Sequence, residues 1–228
     1  YDDYDLMETT NCETYKYNLK VKKLGITLEL NKTNREIINL RELILTNKKL
    51  KSLPSEIGLL VKLRRLDLSN NQLQFFPLEI LPLTKLKTLN LRFNHLQSPP
   101  PEIGHLVSLQ GLFLSNNQID FLPPEIGLLV NLRTLLVSDN KLQSLPPEIG
   151  LLTKLHRFHS VKNRLKTLPP KIGNLIELQH FLLYENPITF LPIEIKLLNK
   201  LQHFYLDYDL QKQMDQLLPN TIIQCQYS

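Results

Sequence analysis

The sequence is poor in the residues on which many kinds of site and scaffold depend. Its 228 residues include no tryptophan, two cysteines and seven glycines. No apolar run approaches the roughly 18 residues that a membrane-spanning helix needs, so no transmembrane helix is expected. No CxxC, HExxH, GxSxG, Walker or kinase motif occurs, and no glycine-rich phosphate loop is present. The sequence therefore predicts neither catalytic activity nor a cofactor.

Charge of one sign collects only at the amino terminus. Residues 1–13 hold five acidic residues and no Lys or Arg, and we expect them to form a flexible acidic tail. The net charge is +5 at pH 7, but the lysines and arginines are spread along the chain rather than gathered in a patch. Because nucleic-acid binding needs a basic patch, the sequence predicts no nucleic-acid partner.

What the sequence does contain is a repeat. The consensus unit is LxxLxLxxNxLxxLPxEIGxLxx, and a period of about 20–29 residues with an LxxLxLxxN core is typical of leucine-rich repeats. Its first leucine recurs every 23 residues without an insertion, at Leu40, Leu63, Leu86, Leu109, Leu132, Leu155, Leu178 and Leu201. The sequence therefore predicts a single right-handed α/β leucine-rich repeat solenoid.

Each position of the repeat has a role that follows from backbone geometry. The fourth and sixth residues should face inward from a short strand, while the third, fifth and seventh face outward. The strands should stack as a curved parallel sheet on the concave side. The Pro-x-Glu-Ile-Gly segment suits a short helical or 3₁₀ arc on the convex side. A buried amide at the ninth position can pair with backbone groups of the adjacent turn, and it is Asn71, Asn94, Asn117, Asn140, Asn163 and Asn186.

The repeats divide the chain into four parts. After the tail, residues 14–39 alternate apolar and polar positions around a turn and predict an amino-terminal cap built as a β-hairpin. Residues 40–209 are eight 23-residue repeats. Residues 210–228 predict a carboxy-terminal cap made of a helix and an edge strand. Solenoids need such caps to cover their terminal cores.

The two cysteines are expected to stay unpaired with each other. Cys12 and Cys225 lie in opposite caps, and seven strand spacings between the first and eighth repeats amount to about 34 Å. Disulfide-bonded Cα atoms lie no more than about 7 Å apart. An intrachain disulfide is therefore not expected.

The repeats and the closing segment resemble a known family. LPPEIGLLVNL, LPPEIGLLTKL and the closing LLPNTIIQC are similar to sequences of the 23-residue bacterial leucine-rich repeat proteins, especially those of pathogenic spirochaetes. The resemblance implies a curved solenoid, export or surface display, and protein binding at the host interface. Ras-suppressor-type scaffolds share LPPEIG repeats, so an intracellular scaffold remains the alternative. A secretory leader upstream of Tyr1 would decide between the two compartments.

Two columns of the repeat change together in the carboxy-terminal half. The fourth position is leucine in five repeats and then Phe158, Phe181 and Phe204, while the sixth position shrinks to Ser160 where the rings begin. Because interiors are close-packed, added ring volume must be offset nearby. We interpret this change as a core adjustment without a role in function.

The outward columns predict a recognition surface. From Phe113 onward they carry apolar, aromatic and imidazole side chains that the core does not require. Exposed patches of this kind mark binding sites, and aromatic side chains are enriched among binding hot spots. The sequence predicts that a protein or peptide is bound by Phe113, Leu136, His159, His180, Tyr184, His203, Tyr205 and Tyr208.

Other interpretations of this surface stay open. Same-face aromatic side chains also stabilise a parallel sheet without binding anything. His180 and His203 occupy the same position in adjacent repeats, so a metal ion could be shared with Asp207 or His159, although two solvated imidazoles are the simpler interpretation. A structural protein that associates through a sheet edge is a further alternative. We expect a monomer or weak self-association.

Overall fold

A computed structural model describes residues 33–207, 210 and 223–226. The predicted acidic tail, the hairpin strands, most of the carboxy-terminal helix and Tyr208 lie outside these residues. At the end of the predicted amino-terminal cap, the chain forms helix α1 (Asn34–Ile38). Thr33 and Glu36 form a capping box, in which the Thr33 hydroxyl accepts from the Glu36 N–H at 3.3 Å and the Thr33 N–H donates to the Glu36 carboxylate at 2.8 Å.

One parallel sheet runs through the described part of the molecule. Its nine strands follow the order of the chain. Among the first eight, each strand begins one repeat after the preceding strand, so that Glu42 aligns with Arg65 and Arg65 with Thr88. The strands are β1 (Glu42–Ile44), β2 (Arg65–Asp67), β3 (Thr88–Asn90), β4 (Gly111–Phe113), β5 (Thr134–Leu136), β6 (Arg157–His159), β7 (His180–Leu182), β8 (His203–Asp207) and β9 (Ile223–Gln226). The last strand, β9, overlaps the segment in which the sequence predicts an edge strand.

Short 3₁₀ helices form the opposite, convex layer. Each of them follows a proline whose extended backbone (φ near −70°) leads into the helix, as at Pro123 and Pro146. The helices are Ser55–Leu59, Leu78–Ile80, Pro101–His105, Pro124–Leu128, Pro147–Leu151, Pro170–Asn174 and Ile193–Leu197. This layer confirms the predicted convex arcs.

The core lies between the sheet and the 3₁₀ helices. Strand residues such as Leu66 and Leu68 and helix residues such as Ile57 are fully buried. In the last repeats the rings of Phe158, Phe181 and Phe204 stack through the core, with centroids 5.3 and 5.2 Å apart. The predicted inward orientation of the three phenylalanines is therefore confirmed.

A ladder of asparagines joins successive repeats. In a typical unit, the Asn94 side-chain amide donates to the carbonyls of Leu68 at 3.0 Å and Leu91 at 3.1 Å, and its oxygen accepts from the Leu73 N–H at 3.0 Å. Because these backbone groups are buried, each would cost free energy if it were left without a partner. The predicted role of the ninth position is confirmed.

The fold is thus a leucine-rich repeat solenoid, with the sheet on its concave face. In residues 33–207, 210 and 223–226, no helix has the length and apolar character needed to cross a bilayer.

Candidate binding face

The outward side chains of the strands form one continuous surface, which we call the sheet face. It consists of the third, fifth and seventh positions of the repeats. Parallel register places equivalent residues side by side, so that Phe113, Leu136 and His159 form one row across β4, β5 and β6. A second row joins His180 to His203 across β7 and β8. Tyr205 ends the first row, which reaches it through Leu182. Tyr184 follows β7 at the seventh position, and Tyr208 lies outside the described residues.

The imidazoles of His180 and His203 stack on each other. Their ring centroids are 4.9 Å apart and their planes are inclined by 8°. The Tyr205 ring continues the group at 6.5 Å from His203. Nδ1 of His203 is buried and makes no hydrogen bond within the described part of the chain. This end of the sheet face is therefore a stack of three rings above a buried polar atom that has no partner in the described chain.

The stacked geometry does not favour a shared metal ion. The lone pair of an imidazole lies in the ring plane, so nearly parallel rings direct their lone pairs side by side rather than toward one point. Asp207, the possible third ligand, accepts hydrogen bonds from the backbone N–H groups of Glu185 at 2.9 Å and Asn186 at 3.3 Å. Among the residues that the structure describes, no group of three or more His, Cys, Asp or Glu could hold a metal ion.

His159 occupies an electrostatically unusual position in the centre of the face. Burial, and then the positive charges of His180, Arg157 and Arg92, together lower its pKa from 6.5 to about 4. Burial also lowers the pKa of His180, together with the charges of His203 and Arg157. At neutral pH the His159 ring is therefore uncharged, and it can offer one donor and one acceptor to a ligand.

Leu136 corrects the predicted surface. The sequence places it among the outward contact residues, yet its side chain is only 8% exposed. Register sets it between Phe113 and His159, and on a concave sheet these larger neighbours close over it. Leu136 supports the rings on either side and offers little surface of its own.

An arginine on Phe113 is the main feature that sequence reasoning missed. The guanidinium carbon of Arg92 lies 4.9 Å from the centre of the Phe113 ring, a distance typical of a cation–π contact. The ring in turn lies over Gly111, where an added Cβ would meet it at 3.1 Å. The signal was present in the sequence, since Arg92 stands in a column otherwise filled mostly by serine and threonine, and Gly111 is the one glycine in its column.

Phe93 follows Arg92 in an unfavourable backbone conformation. Its φ is 54°, in the left-handed region that is costly for bulky residues, and its side chain is 51% exposed. The equivalent residues of the flanking repeats, Asn70 and Asn116, adopt the same conformation, which asparagine tolerates well. The core gains nothing from an exposed ring at this position.

Two family models match the chain. A model of a leucine-rich repeat region matches residues 97–181, and a second leucine-rich repeat model matches residues 38–96. Together with the parallel sheet and its regular register, these matches identify the chain as a leucine-rich repeat protein. A search of curated proteins finds no significant match.

Solved structures show the same fold. A leucine-rich repeat protein of Leptospira interrogans is 41% identical, with a TM-score of 0.80, over 83% of this chain and 50% of its own. The plant peptide hormone receptor RGFR1, in complex with RGF2, is 34% identical, with a TM-score of 0.67, over 83% of this chain and 29% of its own. The ectodomain of the Arabidopsis thaliana receptor kinase GASSHO1/SCHENGEN3, in complex with CASPARIAN STRIP INTEGRITY FACTOR 2, is 33% identical, with a TM-score of 0.64, over 68% of this chain and 20% of its own. This chain therefore spans at most half the length of these proteins.

Proposed function

We propose that the protein binds a protein or peptide ligand on its sheet face and carries out no catalysis. The observation that carries the proposal is the row of side chains from Phe113 to Tyr205. Apart from the buried Leu136, these side chains are only partly buried, and they point away from a core that is already filled by leucine and phenylalanine. Aromatic side chains give a large contact area with few rotatable bonds, which lowers the entropy cost of ordering them.

The similar structures support a peptide as the ligand. One of them is a plant peptide hormone receptor in complex with RGF2, and another is the ectodomain of a plant membrane receptor kinase in complex with CASPARIAN STRIP INTEGRITY FACTOR 2. Parallel strands give a wide surface across which an extended segment can lie, and the varied outward positions give specificity without a change in the core. The contact residues are Phe113, His159, His180, Tyr184, His203, Tyr205 and Tyr208, with Leu136 as support beneath them.

We propose further that the protein acts outside the cell, at the cell surface or at a host interface. The likeness to a Leptospira protein and to receptor ectodomains supports this location. Antibody labelling of intact and permeabilised cells of the source organism tests it. Labelling that needs permeabilisation would instead favour the intracellular scaffold.

Capture of partners from extracellular host proteins, read by mass spectrometry, tests the binding function. The comparison is between the unaltered protein and a variant with His180→Ala, Tyr184→Ala and Tyr205→Ala. The control variant carries Glu102→Ala, His105→Ala and Lys171→Ala, three exposed changes on the convex side. We expect a partner that the unaltered and control proteins retain and the sheet-face variant loses. Equal capture by all three folded proteins would refute a role of the sheet face.

Self-association through a sheet edge is the remaining alternative. The strand β9 lies at one end of the sheet order and pairs with β8 alone among the described strands, so its outer edge is a position at which a second chain could add. Light scattering over a range of concentrations separates the two functions, because a ligand-binding monomer keeps one mass throughout.

A further inference from the structure

The sheet face carries an unbalanced positive charge in its centre. From β3 to β7, its third, fifth and seventh positions include two arginines, Arg92 and Arg157, and no acidic residue. The carboxylates of the face lie outside this region, in the second repeat at Asp67 and at the two ends. Because binding surfaces favour ligands of the opposite charge, this region should favour a ligand that carries negative charge.

Arg92 is held in place but forms no ion pair with a carboxylate among the described residues. The Phe113 ring lies beneath its guanidinium, and Nε of Arg92 is buried without a hydrogen-bond partner in the described chain. Asp67 is the acid that acts on it, yet its carboxylate already accepts from the Ser69 N–H and hydroxyl and from the Asn90 amide, at 2.6 to 3.0 Å. Because Arg92 is only partly buried, its terminal NH₂ groups remain available to a ligand.

Arg157 likewise forms no ion pair within the part of the chain that the structure describes. The three ion pairs found among the described residues join Arg65 to Glu42, Lys162 to Glu185 and Lys200 to Glu177, and none of them involves an arginine of this central region. Arg92 and Arg157 both act on the His159 imidazole, which shows that their charges converge on the same part of the face.

We propose that this region binds an acidic peptide segment, whose side-chain carboxylates pair with Arg92 and Arg157 while apolar side chains contact Phe93 and the rings of the face. The inference rests on the peptide-binding function proposed above and specifies the chemistry of its ligand. An arginine can pair with a carboxylate through two parallel hydrogen bonds, which fixes orientation as well as adding affinity.

The spacing of the two arginines suits an extended segment. The Arg92 guanidinium lies over β4 and Arg157 belongs to β6, so two strand spacings, about 10 Å, separate their levels. An extended chain advances about 3.3 Å per residue, and alternate side chains point to the same side. Acidic residues two or four positions apart in the ligand lie about 7 or 13 Å apart, on either side of this separation, and the long arginine side chains can span the remaining difference. Phe93 supplies an exposed apolar contact next to Arg92 in the chain. A contribution to stability does not explain its strained backbone conformation.

A random peptide library displayed on phage tests the inference. It is panned on the unaltered protein, on an Arg92→Gln/Arg157→Gln variant, and on an Arg64→Gln/Arg133→Gln control, whose exposed arginines lie outside the sheet face. Both variants lose two positive charges, so a general effect of net charge is the same in each. Circular dichroism melting confirms that all three proteins are folded before panning.

We expect the peptides retained by the unaltered protein and by the control to be enriched several-fold in Asp and Glu. Selected peptides should bind the Arg92→Gln/Arg157→Gln variant about tenfold more weakly or worse. Their affinity should fall with added salt for the unaltered protein and much less for this variant. The inference would be overturned if the selected peptides show no acidic enrichment and bind both arginine variants equally. If the same peptides fail to bind a Tyr205→Ala variant, the proposed function remains intact. If the unaltered protein retains no peptide, the inference is overturned, while the capture experiment described above decides the proposed function separately.

Discussion

Replacing His159 by leucine should remove a large part of the acid sensitivity of the fold. The native structure holds the pKa of His159 at about 4, mainly through burial and then through the charges of His180, Arg157 and Arg92. In the unfolded chain the pKa returns to about 6.5. Below pH 6.5 the unfolded state therefore binds a proton that the native state refuses until about pH 4, and the free energy of unfolding falls across that window.

The size of the effect follows from the two pKa values. Each pKa unit corresponds to about 1.4 kcal/mol, so the difference between 6.5 and about 4 sets an upper bound of about 3 kcal/mol. Because the His159 side chain retains some contact with solvent, we expect about 2–3 kcal/mol. Leucine fits the site, since Leu136 and Leu182 are its neighbours in register on β5 and β7.

Urea denaturation at several pH values between 8 and 4 measures the effect. The quantity of interest is the difference in unfolding free energy between His159→Leu and the unaltered protein, in which the carboxylates common to both largely cancel. This difference should be constant above pH 7 and grow in favour of the variant by about 2–3 kcal/mol toward pH 4. An Arg157→Gln variant should lose slightly less stability in acid than the unaltered protein, because one of the charges that lower the pKa of His159 is gone. Most of the loss should remain, because burial is the largest cause. A difference that stays flat down to pH 4 would refute this account of His159.

Three further predictions concern stability. Gly173→Ala should cost about 1–3 kcal/mol, because the added Cβ would lie 2.5 Å from the Glu194 carbonyl oxygen; Gly58→Ala, whose nearest contact is 3.2 Å, should cost clearly less in the same urea titration. Asn94→Leu should lower the melting temperature and cost about 3 kcal/mol, since it leaves buried backbone groups without partners, and a loss below about 1 kcal/mol would contradict the ladder. Phe93→Asn should raise the unfolding free energy by about 1 kcal/mol, and a decrease would show that the ring is packed rather than exposed.

The features that repeat with the period were predictable from sequence. The 23-residue spacing determines which residues align across the sheet, as with His180 and His203, because every unit has the same length and the same inward pattern. The role of the asparagines follows from counting the donors and acceptors that a buried turn needs. The capping box of α1 was equally readable from Thr33 and Glu36 three residues later, although only the structure drew attention to it.

The features that depend on neighbouring volumes were not predictable. The burial of Leu136 arises because Phe113 and His159 are larger and lie on either side of it on a concave surface, which no single column reveals. The contact between Arg92 and Phe113 joins different columns of adjacent repeats and depends on the direction that each side chain takes. No single column shows such a contact, so the recognition surface predicted from sequence begins at Phe113 and omits Arg92.

Different residues of each repeat carry stability and the proposed binding, so the binding residues can be replaced with little effect on the fold. Inward leucines and phenylalanines and the asparagine ladder supply stability, and they are shared along the solenoid. The outward side chains of Arg92 and Arg157 belong neither to this core nor to the ladder. Their replacement by glutamine should therefore change binding while the melting temperature at neutral pH stays nearly constant. His159 is different, because burial and the charges of both arginines lower its pKa. The charge on the sheet face therefore affects the stability of the fold in acid. A ligand carboxylate placed between those arginines would offset part of their charge and raise the pKa of His159, so bound peptide should reduce the acid sensitivity that the His159→Leu comparison measures.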